Sequence, residues 1–287
     1  METTEKLNHG IDGRRLLIRR HSLTVRLSHW LNVLCMTVLL FSGLQIFNAH
    51  PALYWGQYGA DSDPSVLSME AEEQEGSIKG VTRIGSLSFD TTGILGVSNV
   101  GGEAIARGFP AWITLPSYQD LATGRRWHFF FAWLFVINGL IYMAYGFIAR
   151  HFRLDLLPAR GELSLGNLRH EIADHARLRF PKGEKARRYN ALQKLTYLLV
   201  IFLLLPVMIA TGLTMSPGFD AFAPWLLDIF GGRQSARTLH FITANALVAF
   251  VVVHVAMVLV SGVFNNMRSM ITGRYAIDVD DRTEVQP

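Results

Sequence analysis

Residues 237–270 read RTLHFITANALVAFVVVHVAMVLVSGVFNNMRSM. From Thr238 to Met267 no Asp, Glu, Lys or Arg interrupts the run, which is longer than the roughly 20 apolar residues a helix needs to cross a bilayer. Two ionisable groups remain inside it, His240 and His254. At about 100° per residue the step between them falls about 40° short of four turns, so both imidazoles leave nearly the same face. A rise of about 1.5 Å per residue sets them about 21 Å apart in depth. One is near a membrane surface and the other lies well into the opposite half. Ionisable side chains in hydrocarbon are costly and mark functional sites with partners, so the partners of these two histidines are the question put to the rest of the chain.

The totals agree with a membrane protein: 50% of the 287 residues are hydrophobic and only 17% charged. The net charge of +4 is modest, and no long basic run is interleaved with aromatics, so nucleic-acid binding is not expected. A single cysteine, Cys35, excludes an intrachain disulfide, a Cys-rich metal site and the C-x-x-C-H attachment of a c-type haem. Any haem must therefore be held non-covalently. The charged N-terminus followed by an apolar run resembles a signal peptide, but the run is too long and lacks a small-residue cleavage site; it is expected to stay.

Four spans are expected, at about 25–48, 127–149, 195–216 and 238–264, with Pro206 kinking the third. The fold class is an all-α integral membrane protein, a four-transmembrane-helix bundle forming a single domain over 1–287. A long polar connection, about 49–126, joins the first two spans and includes the acid-rich run Met69 to Glu75. Connections of this length are usually functional or disordered, and this one could be a docking surface. A basic connection, about 150–194, joins the second and third spans. Lys and Arg number about 20 on the side of the termini and the basic connection, against about 7 on the other. Both termini are therefore expected in the cytoplasm and the long connection in the periplasm, on a bacterial inner membrane.

This orientation assigns depths. His29, in VRLSHWLN, enters about a turn from the cytoplasmic side, and His128 opens the second span at the outer side. The fourth span runs inward, so His240 is outer and His254 inner. The depths pair His128 with His240 and His29 with His254. Two bis-histidine sites in a four-helix bundle are what two haems require, because haem iron takes one axial imidazole on each face. Zinc is the weaker rival, since no carboxylate or thiolate lies at either depth. A lone intramembrane His is often a polar contact between helices; four at two matched depths are harder to explain so. Gly43, Gly139, Gly212 and Gly262 put one small residue in each span, for a flat ring or for helix packing. Arg26, Arg125, Arg126 and Arg237 flank the histidines at the membrane edge, as propionate partners or snorkelling anchors. His21, His50 and His151 read as solvated interface residues. No nucleophile, metal-cluster or nucleotide motif is visible, so no catalytic residue is expected.

RLSHW, RRWHFFFAW, YNALQKLTYL and the H-x13-H followed by MITGRY together resemble the di-haem cytochrome b subunits of respiratory formate dehydrogenases, nickel-iron hydrogenases and thiosulfate reductases. The resemblance covers all four spans. It implies two haems b on the same two histidine pairs, and electron relay between quinone or quinol in the membrane and a catalytic subunit on the outer face. The long connection, opening with FNAHPALYWGQYG, is more similar to the cytochromes b that accompany periplasmic molybdopterin oxidoreductases. That type of subunit is the expected partner, alongside membrane lipid and quinone. His21, Arg26 and Asn265 are polar candidates for the quinone contact. The alternatives are a hydrogenase subunit, a stand-alone quinol-oxidising cytochrome, and a haem-free proton or ion transporter.

Overall fold

The computed structural model describes residues 11–12, 15–59, 63–74, 76–177, 179 and 189–278. Among the described residues four helical segments are long and apolar enough to cross a membrane: α1 (Leu23–Phe47), α2 (Leu121–Ile148), the stretch Ala191–Thr214, and α8 (Arg233–Val260). Only 22, 22, 11 and 11% of the residues in their apolar windows are buried within the protein. Helices so apolar, with their Leu, Val, Phe and Trp turned outward, are stable only where lipid replaces water.

Each helix starts before the expected span, because helical hydrogen bonding continues through polar residues that a hydropathy reading excludes. Arg125 and Arg126 thus stand in the second turn of α2, and Arg233 and Arg237 in the first turns of α8. In the third segment Lys194 is only 7% exposed. It lies inside α4 (Ala191–Leu199), its ammonium 2.8 Å from Glu162. The Glu171 carboxylate accepts from the Ala191 and Leu192 amides and caps this helix, neutralising orphan donors at its positive end. A π-helical turn, Val200–Leu204, joins α4 to α5 (Leu205–Thr214). Pro206 has no N–H and crowds the preceding turn, and the widened turn is how the span absorbs it.

The described chain divides into two compact units. One comprises Leu31–Gly139 and Leu203–Leu247. Here the expected all-α architecture needs correction, because the long connection is built of strands. β3 (Ala52–Leu53), β4 (Leu67–Gln74), β5 (Ser77–Ile84) and β6 (Leu87–Asp90) form one antiparallel sheet in that order. β7 (Val97–Val100) and β8 (Glu103–Ala106) form a separate pair. Gln74 pairs with Ser77 and Ile84 with Leu87, leaving two-residue turns that carry Gly76 and Gly85 at positive φ, the usual hairpin chemistry. Met69 and Val81 are buried, while Glu70 and Glu72 stay outside on Arg83. Met69 joins Phe47 and Leu53 in a core with Phe109 and Phe241 around it.

The returning limb is held to the end of α1 by Arg107, 4% exposed, whose guanidinium donates to Gln45 Oε1 at 3.4 Å. Its guanidinium donates to the Phe109 carbonyl at 2.8 Å, the Ser117 carbonyl at 3.0 Å and Thr114 Oγ1 at 2.9 Å. Arg107→Leu would remove these bonds and leave the buried Thr114 hydroxyl oxygen without its donor, at about 1–3 kcal/mol. It is expected to lower the unfolding midpoint and expose 107–118 to limited proteolysis in detergent, whereas a variant of exposed Trp112 should not.

The other unit comprises Met1–Trp30, Leu140–Phe202 and Val248–Pro287, as far as described. The basic cluster Lys182, Lys185, Arg187 and Arg188, and both chain ends, lie outside the described residues. Gly262, at φ 111°, ends α8, and a separate amphipathic helix α9 (Val263–Thr272) follows where the fourth span was expected to continue. β9 (Arg274–Asp278) pairs antiparallel with β2 (Arg15–Arg19), which pairs in turn with β1 (Ile11–Asp12). The carbonyls ending α9 find donors in this unit: Trp30 Nε1 reaches Met270 O at 3.1 Å and Arg26 reaches Ile271 O.

Candidate functional site

His128 lies in the third turn of α2 and His240 in the third turn of α8, with ring centroids 6.4 Å apart at 63°. Behind each imidazole is the same arrangement. His128 Nδ1 is 3.1 Å from Ser42 Oγ of α1, and His240 Nδ1 is 3.0 Å from Thr211 Oγ1 of α5. Each hydroxyl gives its one hydrogen to a carbonyl of its own helix, Val38 O at 2.6 Å for Ser42 and Val207 O at 2.7 Å for Thr211. Towards the imidazole the oxygen can then only accept, so Nδ1 carries the proton in both rings. The lone pair is left on Nε2, the state a metal ligand needs. The next residue is glycine in both helices, and a Cβ there would stand 3.3 Å from His128 Cε1 (Gly43) or His240 Cε1 (Gly212). Those two glycines let the rings lie against the helix backbone; Gly139 faces open space, and Gly262 serves to end α8.

In the other unit His29 of α1 and His254 of α8 also stand 6.4 Å apart, at 56°. Trp30 meets His29 edge-on at 5.3 Å, and Phe250 stacks on His254 at 5.8 Å. Among the described residues no hydrogen-bond partner backs His29, whose Nδ1 is buried.

The spacing tests what these pairs can hold. A metal–imidazole bond of about 2 Å on each side, with each ring centre about 1 Å behind its nitrogen, separates two axial centroids by about 6 Å. Both observed separations fit. Among the described residues no three His, Cys, Asp or Glu side chains come together as a clustered metal site would require. Two facing imidazoles without further donors suit an iron whose other four ligands come from a porphyrin.

A family model described as prokaryotic cytochrome b561 matches residues 20–273. The chain belongs to the prokaryotic cytochrome b561 family. This cytochrome is thus a multi-pass bacterial membrane protein of the electron-carrying, haem b-binding type. It is also 35% identical over 149 residues to a protein of Azospira oryzae that carries the provisional name protein-methionine-sulfoxide reductase subunit YedZ1, covering 52% of this chain and 70% of the relative. No solved structure matches the cytochrome.

The four arginines expected near the haem edges have protein partners. Arg237 donates to Ala52 O at 2.8 Å and to His50 O, and stands over the Phe47 ring. Arg126 donates to Thr123 Oγ1 at 2.9 Å, and Arg125 stands 5.6 Å from the Phe129 ring centre. Arg26 is held at Ile271 O, although its Nε is buried and unpaired. Asn265, expected as a quinone contact, is spent on β9: it donates to Ala276 O and accepts from Ala276 N, at 2.8 and 2.9 Å.

Sequence reasoning missed Ser42 and Thr211. Their signal was present as the repeated F-S-G-L and A-T-G-L at 41–44 and 210–213. Outer-sphere partners of a metal-bound histidine are typically worth about 10–100-fold in affinity. Ser42→Ala is therefore expected to speed haem transfer from the cytochrome to an apo-acceptor by about that factor, without loss of helicity.

Proposed function

We propose that the cytochrome holds two haems b in series, one between His128 and His240 and one between His29 and His254, and relays electrons between the quinone pool and a periplasmic redox enzyme. The observation that carries this reading is the two imidazole pairs, each at 6.4 Å. Each haem would supply a one-electron carrier. The protein's part is to present the axial nitrogens, with Ser42 and Thr211 fixing the protonation state that binds iron at His128 and His240. Arg26, Arg125, Arg126 and Arg237 are the cations available to haem propionates at the membrane edges.

The distribution of Lys and Arg supports an orientation with the His29–His254 end towards the cytoplasm and the strand-built connection in the periplasm. A partner subunit is supported by the name of the Azospira relative, a subunit of a reductase. The sequence resemblance favours a molybdopterin oxidoreductase in that role. The connection offers it a folded surface, with Trp112 80% and Trp55 54% exposed.

The test is spectroscopic. Purified cytochrome supplied with haem is expected to show a reducible b-type spectrum with about two haems per chain, reduced by a quinol and reoxidised faster when the periplasmic enzyme is added. A colourless protein would favour a histidine proton pathway instead, and reoxidation indifferent to any partner would favour a self-contained quinol oxidase.

A further inference from the structure

The unit that holds His29 and His254 contains a second set of ionisable side chains that iron ligation does not use. His21, directly before α1, packs 6.5 Å from the Tyr189 ring, which stands edge-on to Tyr197 at 5.4 Å. The Arg20 guanidinium lies 4.4 Å from the Tyr275 ring centre and 5.5 Å from that of Tyr189. Just past α2, His151 packs against Tyr142 at 6.1 Å, and its Nδ1 meets Asp155 Oδ2 at 2.7 Å. The π-helical turn Phe152–Leu156 brings that carboxylate back over the imidazole.

The arrangement is graded from interior to water. The His151 side chain is 15% exposed and that of Asp155 55%. Burial, Arg20, His29 and His151 together lower the His21 imidazole to about 4, so it is neutral at physiological pH. Burial raises the Tyr189 phenol, with Tyr197 and Asp155 adding to the effect. α4, which follows Tyr189 and carries Tyr197, packs against this π-helical turn, so the histidines, phenols and carboxylate lie close together with their wet end at Asp155. Expected from sequence as solvated interface residues, His21 and His151 are instead half-buried. An exposed i,i+4 ion pair contributes little to stability, and aromatic packing alone does not require two imidazoles and a carboxylate in the same unit. An imidazole can take a proton on one nitrogen and release it from the other.

We propose that His151 and Asp155 form the proton port of the quinone site, with His21 and Tyr189 at its buried end. The proposal rests on the quinone reading above. Oxidation of one quinol to quinone releases two electrons and two protons. A haem held by His29 and His254 would take up these electrons one at a time for delivery to the oxidised partner. The protons pass through His151 to the Asp155 carboxylate and from there to water. Reduction of a quinone runs the same route inward.

The test uses full-length, haem-loaded cytochrome mixed rapidly with menadiol, one of which reduces two ferric haems. Asp155→Asn and His151→Phe are each expected to slow haem reduction about tenfold. Haem content and the dithionite-reduced spectrum should be unchanged, Asp155→Glu should keep most of the rate, and added formate should restore Asp155→Asn. Wild-type rates in both variants would overturn the port, as would loss of dithionite-reducible haem in Asp155→Asn, which would make the pair structural. Failure of menadiol to reduce the wild-type protein would instead overturn the quinone reading.

Discussion

Replacing His240 by Ala is expected to remove one of two b-type spectral components, and replacing His128 to remove the same one. Each imidazole is one of two axial ligands, and its partner is 6.4 Å away across the space an iron would take. Alanine supplies no nitrogen, and neither hydroxyl that orients the pair can substitute, since both donate to helix carbonyls. His29→Ala and His254→Ala should remove the other component. Haem per chain then falls by about half in every single variant, and within a pair the double variant loses no more than either single. Each pair lies within its own compact unit, so the remaining component should keep its spectrum. Depletion of one component by both His29→Ala and His240→Ala would refute the pairing.

An alanine inserted after Leu247 should cost at least one haem without removing any ligand. α8 is unbroken from Arg233 to Val260, and one extra residue turns everything beyond it by about 100° and advances it about 1.5 Å. Leu247 is 5% exposed and ends the segment that packs with His128. The helix can keep His240 against Thr211 or His254 against His29, but not both. Haem content is expected to fall to about one per chain or below, measured by extracted-haem absorbance. The same insertion between Gly101 and Gly102, in the exposed turn joining β7 and β8, should leave it unchanged. A full haem complement in the Leu247 insertion would show that α8 does not set the geometry of both sites.

How far the sequence could be read follows from these residues. The spans were legible because the bilayer imposes length and apolarity on any segment that crosses it. The histidine partners were legible because helical rise converts residue number into depth. Helix ends were less so. Lys194 read as loop until Glu162 was seen to neutralise it, and Arg233 and Arg237 read as boundary although helix continues through them. The sheet in the long connection was masked by its acid-rich strand, although the alternation Met69-Glu70-Ala71-Glu72 and the hairpin glycines Gly76 and Gly85 were its signal.

By itself the sequence determined that four segments are long and apolar enough to cross a membrane, and its spacing paired His128 with His240 and His29 with His254, since both follow from local periodicity and the cost of charge in hydrocarbon. Only the tertiary structure decided which nitrogen of His128 and His240 is free, through Ser42 and Thr211 on other helices. It alone joined His21 to Tyr189, 168 residues further along the chain. Such contacts depend on which helix faces meet, and one helix's own sequence does not specify the face of its neighbour.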